Sequence, residues 1–273
     1  MATPSTPTPT IAKLASGVLL TRLREASGKT PSEVAAELGI NVSTYRRWES
    51  GKFAPKPISI KAIAEAVGAT PEEMSRMSSL ALAAKQDGLF EGPNVPPDLR
   101  VITETEATAR LIQDIQLEHI PGLLQTPEYH RTVQEALPPI EPERAETLRK
   151  LRARRQEIVF GRRGPAKMRF LIGLAALAYL DARPAMRDAQ IARLRKVDAM
   201  KGVEIRVITG FHAAMSGSFT ILTPPDSTGA RPFAYVEDID GGRYVEGDVV
   251  SQYQAVFETV GDGQSVELEE YLR

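Results

Sequence analysis

The sequence predicts two domains, an all-α five-helix domain followed by a mixed α/β (α+β) domain. The chain has 273 residues, and a typical size of about 150 residues per domain favours two. Residues 11–85 show apolar spacings of helical period that stop repeatedly at glycine, whereas residues 101–273 mix such spacings with short strand-like runs. Residues 86–100 are rich in Gly and Pro and predict the linker between them.

The composition excludes several classes of protein. Hydrophobic residues make up 42% and charged residues 25%, so a folded core is expected. The chain has no Cys, which excludes disulfide scaffolds and thiolate chemistry and suits a reducing cytoplasm. The longest apolar run, Phe170–Leu180, is shorter than the about 20 residues of a membrane span. Residues 1–10 have no signal-peptide pattern and predict a disordered tail. We therefore expect a cytoplasmic protein with no membrane contact.

Charge is distributed unevenly along the chain, although the formal net charge is only −1. Residues 11–61 carry more Lys and Arg than Glu, and the remainder is acidic. A basic segment on an acidic body indicates contact with a polyanion, although charged segments are more often simply solvated. Within the second domain, Arg144–Arg169 is basic and Phe233–Arg273 is acidic. The basic segment is either a second nucleic-acid surface or, as we favour, neutralised by the acidic one within the domain or across a dimer.

Local start and stop signals define the helices of the first domain. The first helix is predicted from Ile11 to Gly28. Thr30–Glu33 and Thr70–Glu73 each form the pattern of a capping box with Pro at the first helical position. Asn41 is a good N-cap for a helix over residues 42–50, and a further helix follows Pro57. Glycines end the successive helices, at Gly28, Gly39, Gly51 and Gly68.

The second and third of these helices have the spacing of a helix-turn-helix motif. They meet at a turn that contains Gly39, and the later helix carries a polar, basic face. Tyr45 and Trp48 are predicted to face the core. The outward positions are predicted to be Val42, Ser43, Arg46 and Arg47.

The segment KTPSEVAAELGINVSTYRRWESGK resembles the DNA-binding domain of phage-repressor (Cro and xenobiotic-response-element) type regulators. The resemblance covers Ile11 to about Met77. It implies that residues 42–50 form a recognition helix in the major groove of double-stranded DNA. By position, it gives base-reading roles to Val42, Ser43 and Arg47 and backbone-facing roles to Arg46 and Lys52. The predicted DNA-binding set is completed by Thr30, Asn41 and Thr44.

Two positions depart from that family. Pro31 stands where the family often has a Gln that contacts phosphate, so Thr30 or Lys29 is expected to replace that contact. Val42 replaces a commonly polar reader and offers only apolar contact, such as with a thymine methyl. An interaction module with a solvated Arg46–Arg47 pair is the alternative interpretation of the whole domain.

The second domain is predicted to mix helices and strands. Strands are predicted at Met168–Ile172, Val203–Thr209, Ser218–Leu222, Phe233–Glu237 and Arg243–Val245. Helices are predicted at Thr103–Leu117, after Thr126-Pro127, from Pro142 to Phe160, and at Leu174–Leu180, Met186–Met200, Val249–Val260 and Val266–Leu272.

Several of its segments resemble the C-terminal domain of WhiJ-type actinobacterial regulators, which is also described as antitoxin-like. The segments are His119–Tyr129, Arg152–Gln156, Glu204–Ile208, Ser218-Phe219 and Tyr235–Glu237. The resemblance implies a regulatory domain and a small partner protein encoded nearby.

No enzymatic motif is recognisable, so we expect no catalytic residues, cofactor or metal. His119, His130 and His212 lack metal-ligand spacing and are interpreted as structural or exposed. A strand followed by Phe211-His212 is similar to the phospholipase D layout, but that family needs a Lys where this chain has Ala214. A degenerate, ligand-sensing relative of that family is the remaining alternative.

We therefore expect a sequence-specific transcriptional regulator whose second domain binds a partner or effector. One recognition helix reads few base pairs, and two helices about 34 Å apart normally share a site. The first domain is predicted to use Tyr45 and Trp48 for its own core, so dimerisation is predicted in residues 101–273. The alternatives are an antitoxin-like adaptor that sequesters a small protein and, less in keeping with the motifs, an enzyme.

Overall fold

A computed structural model describes residues 9–84, 97–137, 139–162, 166–226, 230–238 and 241–273. The chain divides into two compact units, Met1–Glu91 with Pro224–Ala230, and Gly92–Thr223 with Arg231–Arg273. Most of the predicted tail (1–10) and linker (86–100) lies outside the described residues. Where described, both differ from prediction, because helices begin at Pro9 and at Pro97. No helix in the described ranges is long and apolar enough to cross a membrane.

The first unit is helical. Its helices are α1 (Pro9–Ala26), α2 (Pro31–Glu37), α3 (Val42–Glu49), α4 (Ile60–Val67) and α5 (Pro71–Ala83), with a 3-10 turn at Pro57–Ser59. The capping boxes at Thr30 and Thr70 are confirmed, and so is the cap at Asn41, whose Oδ1 accepts a hydrogen bond from the Ser43 amide at 2.8 Å. The four predicted stop glycines all have φ between 63° and 72°, a left-handed backbone that favours glycine.

Helix α1 forms the centre of this unit because it packs against both α3 and α5. Leu20, Tyr45 and Ile63 are among the fully buried side chains of the shared core. At Gly17 the backbones of α1 and α3 approach so closely that an added Cβ would lie 2.9 Å from the Trp48 carbonyl oxygen and collide with that of Glu49. Glycine at this position therefore sets the distance between α1 and the end of α3.

Gly17→Ala should destabilise the first unit by about 1–3 kcal/mol or more. The added Cβ would meet backbone atoms of α3, which cannot move aside as a flexible side chain can. Urea unfolding followed by fluorescence of the single tryptophan, Trp48, measures this change. Gly161→Ala is the matched control, since a Cβ there would have nothing within 4 Å, and it should alter stability by less than about 1 kcal/mol. Equal stability of the two variants would contradict the close approach.

The second unit is built on a seven-stranded mixed sheet. Its strands are β1 (Leu111–Gln116), β2 (Lys167–Gly173), β3 (Val203–Ile208), β4 (Phe219–Thr223), β5 (Phe233–Asp238), β6 (Gly241–Val245) and β7 (Ser265–Glu267). The order across the sheet is β6-β5-β4-β1-β2-β3-β7. Strands β1, β2 and β3 are parallel, and the other neighbouring pairs are antiparallel.

Helices supply the apolar side chains that pack against this sheet. They are α6 (Pro97–Glu106), α7 (Pro127–Ala136), α8 (Pro142–Gly161), α9 (Leu174–Ala178), α10 (Pro184–Asp198), α11 (Val250–Gly263) and α12 (Leu268–Tyr271). Alternate residues of β2 enter two different core clusters, as expected of a strand covered on both faces. Phe170 packs in the cluster that contains residues of α7 to α10, and Leu171 packs in the cluster that contains Phe257 of α11.

Two of the predicted helices are wrong. The segment predicted as one helix, Thr103–Leu117, contains the end of α6 and all of β1. Buried polar residues in β1 interrupt the alternation of apolar and polar residues that is expected of a strand. Their partners lie far along the chain: Gln113 donates to Glu258, and Asp114 accepts from Thr220. Likewise Val266–Leu272 contains part of β7 followed by the short α12.

Among the described residues of the two segments, the predicted neutralisation between the basic and acidic segments holds for Arg169. Arg169 of β2 forms ion pairs with Glu258 and Asp262 in the acidic segment, and also with Glu204. Other basic residues of the segment pair elsewhere: Arg154 with Glu157 on the same helix, and Arg155 with Glu106 of α6.

Candidate nucleic-acid interface

Helix α3 presents an exposed cationic surface. Ser43 and Arg47 lie four residues apart, on one face of the helix, and both are exposed. Arg46 and Lys52 are exposed beside them. Among the residues that the structure describes, no carboxylate lies within ion-pair distance of Arg46, Arg47 or Lys52. We call these three residues the α3 cationic surface; its charge is available to a partner outside the chain.

Local packing orients Arg47. Its guanidinium carbon lies 5.9 Å from the centre of the Phe53 ring, within the range of a cation–π contact. The amide of Phe53 also donates to the carbonyl oxygen of Arg47 at 3.2 Å. Phe53 itself is 51% exposed, so this contact limits the rotamers of Arg47 without burying its charge.

The predicted phosphate contacts near α2 have internal partners. The Thr30 hydroxyl donates to the Glu33 carboxylate at 2.7 Å, within the capping box. The Thr30 backbone amide also donates to this carboxylate. This backbone hydrogen bond, followed by the hydroxyl hydrogen bond, lowers the pKa of Glu33 and keeps its carboxylate charged. Lys29 donates to Glu37 at 2.8 Å and to the Ala66 carbonyl at 2.7 Å. The carboxylate beside each residue repels a phosphate, so neither is well placed to replace the contact that Pro31 lacks.

Val42 differs from the prediction that it points outward. It is half-buried and packs against the core of the first unit, because it lies three residues before Tyr45 on the same face of α3. Thr44 is also half-buried, and Asn41 is exposed but uses Oδ1 as the helix cap. The most accessible side chains of the predicted set on α3 are therefore Ser43, Arg46 and Arg47.

An ion pair that the sequence analysis missed joins α1 to α3. Arg24 Nε donates to Glu49 at 2.6 Å, and Arg24 Nη1 donates to the Lys29 carbonyl at 3.0 Å. The hydrogen bond with Glu49 is the main cause that raises the pKa of Arg24. Glu49 follows buried Tyr45 by one helical turn, so its position on the core face was the signal that it needs a partner.

Aromatic packing completes the inner face of α3. Tyr45 is fully buried and lies edge-on to half-buried Trp48, with ring centres 6.1 Å apart. Burial raises the pKa of Tyr45 to about 12, so its hydroxyl stays neutral. The ion pair and the aromatic pair hold one face of α3 while the cationic surface faces outward.

These features define a helix-turn-helix protein of the DNA-binding regulator class. Residues 16–77 match a family described as helix-turn-helix domain. Residues 99–262 match the family described as domain of unknown function (DUF5753), and because this match spans more than half of the chain, the chain belongs to that family. Comparison with curated proteins and with solved structures gave no match.

The ion pair between Arg24 and Glu49 should stabilise the first unit more than the pair between Arg22 and Glu73. The side chains of the first pair are 13% and 12% exposed, against 60% and 29% for the second. Double-mutant cycles with Arg→Met and Glu→Gln should give a coupling energy of about 1.5–3 kcal/mol for the first pair and below about 1 kcal/mol for the second. Equal coupling energies would show that Arg24–Glu49 does not hold α3.

Proposed function

We propose that this protein is a cytoplasmic, sequence-specific transcriptional regulator that places α3 in the major groove of double-stranded DNA. The α3 cationic surface carries this proposal, because three exposed cations that have no carboxylate partner in the described part of the chain are suited to a polyanion. The chain is proposed to act by binding and not by catalysis.

The exposed residues of α3, together with Lys52 after its end, divide into two roles. Arg47, steadied by Phe53 and sharing a face with Ser43, is suited to reach a guanine edge. Arg46, beside Arg47 in the sequence, and Lys52, which follows the end of α3, are exposed and are suited to phosphates, which fix the register of the helix on DNA. Half-buried Val42 contributes at most an apolar edge to the reading surface.

Arg47→Ala should cost about 1–3 kcal/mol of binding free energy and relax specificity at one base position, whereas Lys52→Ala should weaken binding to all sequences and lower the salt slope by about one. Binding to a site library at several salt concentrations measures both effects. Arg22→Ala, which removes an α1 cation paired with Glu73, is the control and should change neither. Uniform loss of affinity in Arg47→Ala would reject its base-reading role.

The wild-type protein provides the broader test of DNA binding. A dimer with about 6–10 phosphate contacts should lose roughly 10³–10⁵-fold affinity between about 50 and 200 mM salt. Absence of binding to any genomic fragment, together with recovery of a stable complex with a small protein, would favour the adaptor alternative.

We also propose that the DUF5753 domain supplies dimerisation and binds an effector or a small protein partner; of these, the WhiJ-type resemblance implies only the small partner protein. Its segment between β3 and β4 exposes large apolar side chains, with Phe211 90% and Met215 62% exposed. The first unit has exposed apolar residues of its own, including Ile58 at 89%, so exposure alone does not choose between the two units.

Phe211→Ser should shift the full-length protein from dimer towards monomer and weaken binding to a two-half-site operator, because removing a buried apolar contact weakens association. Ile58→Ser is the matched control in the first unit and should leave the dimer intact. Sedimentation equilibrium of both variants measures the shift. A monomeric wild-type protein, or dissociation caused only by Ile58→Ser, would contradict dimerisation through the second domain.

A further inference from the structure

The second unit contains an arginine whose buried nitrogen atoms have no partner. Nε and Nη1 of Arg152, on α8, are buried and make no hydrogen bond with any residue that the structure describes. Arg155, one turn later on α8, does have a partner for its guanidinium: its Nε and Nη2 donate to the Glu106 carboxylate at 2.9 and 2.7 Å. A buried guanidinium without such a partner is costly, so the unpaired atoms of Arg152 need an explanation.

The carboxylates around Arg152 do not supply that partner. Glu106, Asp114 and Glu237 are near enough to influence its pKa, yet burial, followed by the charge of Arg155, lowers the pKa of Arg152 to about 10. Glu106 is bonded to Arg155, and Asp114 accepts from Gln116 and Thr220. Burial also raises the pKa of Asp114 to about 6, which weakens it further as a counterion in mildly acidic solution.

The loop that follows β1 packs directly on the Arg152 guanidinium. A Cβ added at Gly122 would collide with Nη1 of Arg152, so the backbone of the loop lies against the guanidinium. Gln156, one turn after Arg152 on α8, holds the loop by donating to the carbonyl oxygens of Gly122 and Gln125, at 3.2 and 2.8 Å. The loop lies beyond the carboxyl end of parallel strand β1, the edge at which open α/β sheets bind ligands.

Other buried polar groups of this unit also have unused hydrogen-bonding capacity, and one of them lies in the loop that packs on Arg152. Nδ1 of His119, in the same loop, is buried without a partner among the described residues, as are both amide atoms of Gln134 on α7. His130 lies one turn before Gln134 and is buried. Burial, with a further contribution from the charge of Arg152, lowers the pKa of both histidines, to about 4 for His130. Both imidazoles are therefore neutral at pH 7 and can each donate one N–H.

We propose that Arg152 binds the anionic group, a carboxylate or a phosphate, of a small-molecule ligand, and that His119 adds a neutral hydrogen bond. An anion would satisfy the unpaired guanidinium atoms by charge-assisted hydrogen bonds, as Glu106 satisfies Arg155. The regulatory meaning of this site rests on the proposed function, in which this domain binds an effector. The binding itself does not require DNA.

The test is calorimetric titration and thermal unfolding of the full-length protein with sodium phosphate and, separately, sodium acetate, at ionic strength held constant with chloride. One of the two anions should bind saturably and raise the unfolding temperature in step with its occupancy. The two titrations distinguish a phosphate ligand from a carboxylate ligand. Because no DNA is present, failure of DNA binding by α3 and failure of this site are separate results.

Arg152→Met should weaken the binding of that anion roughly 10- to 100-fold, as expected for loss of a charge-assisted hydrogen bond. Arg154→Met is the matched control: it removes the same group two residues away, where the side chain is 55% exposed and paired with Glu157, and it should leave binding unchanged. In chloride alone, Arg152→Met should be at least as stable as wild type, because an unpaired cation has been removed.

Three results would overturn the proposal. They are the absence of saturable binding of both anions to the wild-type protein, equal loss of binding in the two methionine variants, and an Arg152→Met protein that no longer folds. The last result would make Arg152 a structural residue. Arg152→Lys gives a further check, since it keeps the charge and should retain part of the affinity that Arg152→Met loses.

Discussion

The close approach of α1 to α3 is the constraint on which the DNA-binding surface depends. Gly17 allows the two backbones to meet, and the hydrogen-bonded ion pair between Arg24 and Glu49 joins the same helices through side chains. Tyr45 then fills the core beneath α3. Since these contacts all use one face of α3, the opposite face is left to carry cations that no internal carboxylate neutralises among the described residues.

This arrangement explains why some basic residues of the first unit are paired with carboxylates of the chain while others are exposed and unpaired among the described residues. Arg24 and Lys29 are as basic as Arg46 and Arg47, but their charges are used within the fold, on Glu49 and on Glu37. A count of basic residues along the segment therefore overestimates the charge offered to DNA. The geometry of the helices decides which cations are free, and it selects the side of α3 that turns away from α1.

The helix boundaries of the first unit were predictable because their signals are local. Thr30, Asn41 and Thr70 cap helices through atoms within three residues, and each stop glycine acts at its own position. The orientation of Val42 was also predictable from the sequence, since its spacing from Tyr45 places both residues on one face of α3. Val42 was predicted to point outward with Ser43, although it lies three residues before Tyr45 and packs against the core.

The features that the sequence did not predict depend on partners far along the chain. Strand β1 was mistaken for helix because Gln113 and Asp114 are buried polar residues, acceptable only beside Glu258 and Thr220. A glycine within a helix indicates a close approach, but nothing near Gly17 in the sequence identifies α3 as the neighbour. The unpaired state of Arg152 could not be predicted either, because α8 contains many arginines. Only the three-dimensional structure shows that Arg155 has a carboxylate partner and Arg152 has none among the described residues.

The contrast between Arg152 and Arg155 supports a binding site for a ligand from outside the chain. Both lie on α8, both are influenced by Glu106 and Asp114, and only Arg155 is paired. If the cluster were purely structural, replacing Arg152 with an apolar residue would remove an unfavourable desolvation at no loss of hydrogen bonds. Nδ1 of His119, which is unpaired among the described residues and lies in the loop that packs on the guanidinium, fits an external anion better than an internal one. Such an anion regulates the protein only if it binds two states of the chain with different affinity.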